Sequence, residues 1–140
     1  MPHADRALRH RHLVGAAILD AVLVVVFAAI GRASHQETNP VLGVLATAWP
    51  FLVGAAIGWL LVRAWRAPLR LWPTGVVVWA AAVAGGMLLR ALTGDGTAVA
   101  FVVVATVTLA LFLLGWRAVA ALTRRLSSRG AGSPRKENTL

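Results

Sequence analysis

The apolar positions of this chain fall into four long blocks, separated by short stretches rich in Arg, Pro and Gly. The blocks cover about 13–30, 44–62, 75–92 and 98–116. The first holds 18 residues. At about 1.5 Å of rise per residue a helix of that length reaches roughly 27 Å, close to the hydrocarbon thickness of a bilayer. The pattern predicts an all-α polytopic membrane protein, a four-transmembrane-helix bundle over 13–122. A basic N-terminal stretch, 1–12, and a disordered basic tail, 123–140, flank it. A basic start before an apolar run is also the form of a signal peptide. This run, however, is longer than a usual signal core, contains Asp20 and is followed by three more spans.

The connections carry turn and packing signals. Ser34 and Glu37 have the spacing of a capping box, and Asn39-Pro40 is a turn signal. Within the second span Pro50 cannot bond to the carbonyl of Ala46. A kink is expected there, with Thr47 or a neighbouring helix satisfying that carbonyl. Gly54 and Gly58 on the second span, and Gly85 and Gly86 on the third, form small-residue faces. Such faces let backbones approach closely, within the chain or between chains, which makes self-association an expectation. Gly94-Asp95-Gly96 predicts a tight turn with Asp95 as N-cap of the fourth helix.

Composition agrees with the pattern. Of 140 residues, 59% are hydrophobic and only 14% charged, and the mean hydropathy is +0.74. Charged residues make up about 25% of an ordinary soluble domain. The absence of cysteine excludes disulfides and thiolate metal sites. A net charge of +9, with arginines outnumbering the single Lys136, would on a soluble protein point to nucleic acid. Here the arginines stand at the ends of the apolar blocks, where topology needs them, so no nucleic-acid partner is expected. The Ala, Val and Arg bias is that of a G+C-rich genome.

Charge also sets orientation. Arg6, Arg9 and Arg11 precede the first span, Arg63, Arg66 and Arg70 lie in the second connection, and a basic run follows Arg117. The first and third connections each hold one Arg beside an acid, Arg32 with Glu37 and Arg90 with Asp95. The expectation is a multi-pass protein of the cell membrane with both termini cytoplasmic and anionic lipids at the basic loop and tail. Arg32 matches Arg90, Thr47 matches Thr106, and Gly58-Trp59 matches Gly115-Trp116 at offsets near sixty residues. These matches raise the prospect of two duplicated helical hairpins.

Two places could carry chemistry. Asp20 lies about 10 Å inside the first span, where a charged carboxylate costs on the order of 3 kcal/mol unless paired, hydrated or protonated. It is a candidate proton or cation site. It can equally be one half of an interhelical ion pair with Arg63 or Arg117, or a hydrogen-bond partner of Trp59, Trp79 or Trp116. The second place is the outer surface, where Arg32, Ser34, His35, Arg90 and Asp95 gather. It can be an anion or lipid-phosphate clamp with His35, a residue type that changes charge near neutral pH, or two surface bridges, Arg32–Glu37 and Arg90–Asp95. His3, His10 and His12 read as a solvated, mobile terminus rather than a metal site, and no cofactor is expected. No P-loop, Gly-rich dinucleotide motif or paired metal carboxylates are present, and Ser34-His35 has no identifiable triad partner. An enzyme is not expected.

The phrases GRASH, TAWPF, PTGVVVW, GMLLR and GDGTAVAFVVVA, together with an aspartate in the first span, resemble domain of unknown function family 3054. The resemblance runs from about Asp20 to Trp116 and implies small integral membrane proteins, mostly of actinobacteria, with no activity or site residue to carry over. Three functions remain in view: a noncatalytic structural or interaction bundle, a small proton-coupled transporter using Asp20, and an outer-surface anion or lipid-headgroup site at Arg32, His35 and Arg90.

Overall fold

The computed structural model describes residues 2–33 and 39–130. These residues form four long helices and no strand: α1 (Pro2–Arg32), α2 (Pro40–Leu61), α3 (Val76–Leu92) and α4 (Val99–Gly130). Each helix, α3 together with the short helical segment that precedes it, is long and apolar enough to cross a membrane. The helices pack in cyclic order, with α1 against α2 and α4, and α3 against α2 and α4.

Several boundaries differ from the expected ones. α1 begins at Pro2 rather than near Leu13, so the N-terminal stretch is helical instead of a mobile terminus. Proline is tolerated at a first helical position, and the Ala, Leu and Arg that follow extend the helix below the apolar block. α2 starts at Pro40 because Asn39 caps it, its side-chain oxygen accepting from the Leu42 N–H. The helix then runs through Pro50 without a break. α4 continues to Gly130, so residues 123–130 of the expected disordered tail are helical. Ser127 donates back to the Thr123 carbonyl and Arg124 to that of Ala120, and arginines in a last turn favour the helix dipole. Asp95 is not the N-cap of α4, which begins four residues later. Its carboxylate is drawn instead to Arg90 and to the Thr93 hydroxyl. The Ser34–Glu37 capping box lies outside the described residues.

The tightest interface is between α2 and α3, and the small residues make it. A Cβ on Gly54 would stand 2.6 Å from the Ala81 carbonyl oxygen, and one on Gly58 would stand 2.8 Å from the Val78 Cα. Gly85 lies against Gly54, and a side chain on Gly86 would run into the Phe51 ring. The glycine faces are therefore used within the chain. Phe51 also meets Phe27 edge-on at 5.2 Å, and both approach Phe101 of α4, so one aromatic cluster joins three helices. Outward positions such as Ile18, Leu60, Val103 and Leu111 remain exposed and apolar, the arrangement expected of a bundle whose outer solvent is hydrocarbon.

The second connection is ordered. Arg63 adopts a left-handed backbone conformation (φ 49°) and ends α2, and a 3₁₀ turn (Ala64–Arg66) and a short helical segment (Leu71–Gly75) lead into α3. Thr74, buried, donates to the Ala67 carbonyl and closes this connection on itself.

Candidate functional site

Asp20 stands in a buried row on α1, Ala16, Asp20, Val24 and Ala28, spaced one turn apart. Arg117 stands at the end of a matching row on α4, Ala105, Leu109, Leu113 and Arg117. Each charge occupies the position that the helical repeat assigns to the core, and the two meet. Arg117 Nη1 donates to Asp20 Oδ1 at 2.8 Å and Nη2 to Oδ2 at 2.6 Å, a two-pronged pair. The Trp116 indole N–H donates to Oδ1 and that of Trp59 to Oδ2, both at 2.9 Å. Each carboxylate oxygen thus accepts two hydrogen bonds.

The arginine is equally engaged. Its Nε donates to the Pro68 carbonyl at 3.1 Å, and Nη1 donates also to the Leu113 carbonyl at 2.9 Å. The guanidinium carbon lies 4.5 Å from the centre of the Trp116 ring. Asp20 is 2% exposed and Arg117 is 0% exposed. A charge removed from water is tolerable when it is paired and its remaining donors and acceptors are filled, and both conditions hold here. Gly75 completes the enclosure: a Cβ there would stand 2.9 Å from Arg117 Cδ, so only glycine leaves room for the arginine stem.

Of the two arginines expected as partners, the structure brings Arg117 to Asp20 and leaves Arg63 exposed. Arg63 is committed to the left-handed turn after α2, which sends its side chain away from the core. Trp79 does not reach Asp20 either, since its indole N–H donates to the Thr106 carbonyl across the α3–α4 contact. Pro68, Leu113 and Gly75 were not foreseen as parts of this site. The buried row on α4 could have singled out Arg117 over Arg63, whereas nothing in the sequence marks a carbonyl or a glycine contact.

At the opposite end of the bundle Arg32 and Arg90 line one cavity of about 170 Å³, walled by Phe27, Gly31, Thr47 and Phe101. Arg32 Nη1 donates to the Thr47 hydroxyl at 3.0 Å. Arg90 Nη2 donates to the Gly96 carbonyl at 3.1 Å, its guanidinium covers the Phe101 ring at 4.5 Å, and Asp95 lies 3.8 Å away. Arg90 Nε is buried with no hydrogen-bond partner among the described residues. Asp20 is absent from this cavity, so the two candidate places are separate. Ser34, His35 and Glu37 lie outside the described residues. Among those residues no three His, Asp or Glu side chains come together as metal ligands.

No curated protein and no solved structure matches the chain. A family model does, over residues 17–120, a range that holds Asp20, Trp59, Trp116 and Arg117 as well as Arg32 and Arg90. On that match, which covers most of its length, the chain belongs to the family described as Protein of unknown function (DUF3054).

Proposed function

We propose that this protein is a noncatalytic membrane bundle, structural or serving as an interaction partner, locked by the Asp20–Arg117 pair. In this reading it sits in the cell membrane with the basic end, which carries Arg9, Arg66, Arg70 and Arg124, in the cytoplasm. The observation that carries the reading is the saturated carboxylate of Asp20: four donors from Trp59, Trp116 and Arg117 fill it. A carboxylate that relays protons needs water or an open position, and a filled one serves as a fastener. The same observation weighs against a proton-coupled transporter using Asp20. Self-association, if it occurs, uses a lipid-facing surface, because the glycine faces are consumed between α2 and α3. The test is proton flux in proteoliposomes across a broad substrate panel, with Asp20→Asn as comparison. The proposal expects no substrate-dependent flux from either protein and reduced folded yield for the variant. Flux that Asp20→Asn abolishes in a folded protein would overturn it.

A second reading rests on the outer cavity. Two arginines share it, and among the described residues no acidic one lines it. We propose it as a small anion site at which an oxyanion accepts from the planar guanidinium group of Arg90. Arg90→Lys keeps the charge and removes that planar donor. Binding of inorganic phosphate or sulfate that disappears in Arg90→Lys supports the site, and absence of binding to the unaltered protein removes it.

A further inference from the structure

The basic end of the bundle holds a larger cavity, about 580 Å³, that the ion-pair lock does not use. Its walls come from three parts of the chain. Arg9 and His12 belong to α1, Trp65, Arg66 and Arg70 to the second connection, and Arg124 to α4. Ala67, Pro68 and Leu69 complete the lining, and no acidic residue takes part in it.

A basic residue count follows from topology alone, but convergence on one concave site does not. The backbone of the second connection shows a further feature. Three consecutive carbonyls, which would repel an anion, are each engaged by a donor. That of Ala67 accepts from Thr74 Oγ1, that of Pro68 from the buried Arg117 Nε, and that of Leu69 from Arg124 Nη2 at 3.4 Å. Arg124 is also held through Nε to the Ala120 carbonyl. Four arginines therefore line a cavity beside a stretch of backbone whose carbonyls already accept from donors.

Trp65 is shared by this cavity and a second one. The same side chain lines an apolar groove of about 400 Å³ between α1 and α2, formed with Ala17, Ala21, Leu52, Ala56 and Trp59. Asp20 stands at its inner wall with its carboxylate occupied by Arg117 and the indoles. The groove runs along apolar residues of α1 and α2, and the basic cavity adjoins the connection that follows α2. We infer that the two together hold one anionic phospholipid, its phosphate among Arg9, Arg66, Arg70 and Arg124 and an acyl chain in the groove past Trp65. Arginine chelates phosphate oxygens, and a tryptophan rests well at the boundary between headgroup and chain. A zwitterionic headgroup would bring a cation into a cavity that has no acid to receive it. Arg9, His12 and Arg124 lie outside the range matched by the family model, so the site is a proposal about this chain.

The test is native mass spectrometry of the full chain in detergent, with phosphatidylglycerol and phosphatidylcholine offered at equal concentration. One phosphatidylglycerol retained per chain, in clear excess over phosphatidylcholine, is the expected result. Arg66→Gln with Arg70→Gln, both exposed, should weaken retention by about thirtyfold, the scale of two arginine contacts at an anionic surface. Arg125→Gln with Arg129→Gln removes the same charge from α4 outside the cavity and should leave retention unchanged. Equal loss in both double variants would show bulk charge rather than a site and would overturn the proposal. Equal retention of the two lipids would overturn it as well. Soluble glycerol phosphate at the lipid's concentration should not displace the lipid, and displacement would show an anion site without a chain groove. The lipid comparison and the displacement use the unaltered protein, so they decide the matter even if a variant fails to fold. All these outcomes are independent of whether Asp20 carries protons.

Discussion

Replacing Arg117 by Met leaves the Asp20 carboxylate buried with two indole donors and no counter-charge. Removing one partner of a buried ion pair costs about 3–5 kcal/mol, and Asp20→Leu strands Arg117 in the same way. If the effects were independent, the double replacement would cost about 6–10 kcal/mol. The geometry predicts much less, because Asp20→Leu with Arg117→Met leaves no buried charge. What remains is the loss of partners for the Trp59 and Trp116 indole N–H groups and for the Pro68 carbonyl, each left unpaired at about 1–2 kcal/mol. The double variant should therefore lie about 3–6 kcal/mol below the unaltered protein, and the centres of the two ranges give a coupling energy of roughly 3–4 kcal/mol. Equilibrium unfolding in mixed micelles measures all four proteins, followed by tryptophan fluorescence since two of the six tryptophans touch the pair. Additivity within about 0.5 kcal/mol would refute the claim that the two charges act as one unit.

Three further outcomes follow from single contacts. Trp59→Phe removes one donor to a charged acceptor and should cost about 1.5–3 kcal/mol in the same unfolding assay, with Trp116→Phe similar. Gly75→Ala presses a methyl on a pinned Arg117 stem, so it should destabilise the unaltered protein yet be tolerated better when Arg117→Met is already present. Asp95→Asn, at a pair 3.8 Å apart whose acid is 47% exposed, should change stability by less than about 0.5 kcal/mol.

The long-range pattern of the fold was legible because hydrocarbon leaves few options: four apolar blocks between basic turns give four helices. The helix ends were less legible. The N-terminal stretch and the start of the tail look soluble by composition, but a polar sequence can continue a helix already nucleated by an apolar one. Asp20 was conspicuous as a lone carboxylate in an apolar run, whereas its partner was not. Arg63 and Arg117 both follow a Gly-Trp pair closely, and only the buried row on α4 against the left-handed turn at Arg63 separates them. The glycines of α2 and α3 announced a close contact, and sequence could not say whether the facing helix belonged to the same chain.

That ambiguity bears on the repeat. Gly58-Trp59 and Gly115-Trp116 occupy matching places, and the two tryptophans donate to the two oxygens of the same carboxylate. Their glycines live in different surroundings. At Gly58 a Cβ would stand 2.8 Å from Val78 Cα and 2.9 Å from Ala81 Cβ, whereas at Gly115 nothing lies within 4 Å. The α2–α3 face closes through backbone contact, and the α1–α4 face is held by a charged pair with tryptophans around it. Helical glycine costs about 1 kcal/mol relative to alanine when no packing requires it. Gly115→Ala should therefore stabilise the protein by up to about 1 kcal/mol. Gly58→Ala must force α2 and α3 apart, for the atoms it meets are a Cα and a Cβ that cannot swing away, and should destabilise by about 1–3 kcal/mol. Opposite signs at two positions that share a local sequence are the measurable consequence of unlike interfaces, and a common sign would mean the two hairpin contacts are built alike.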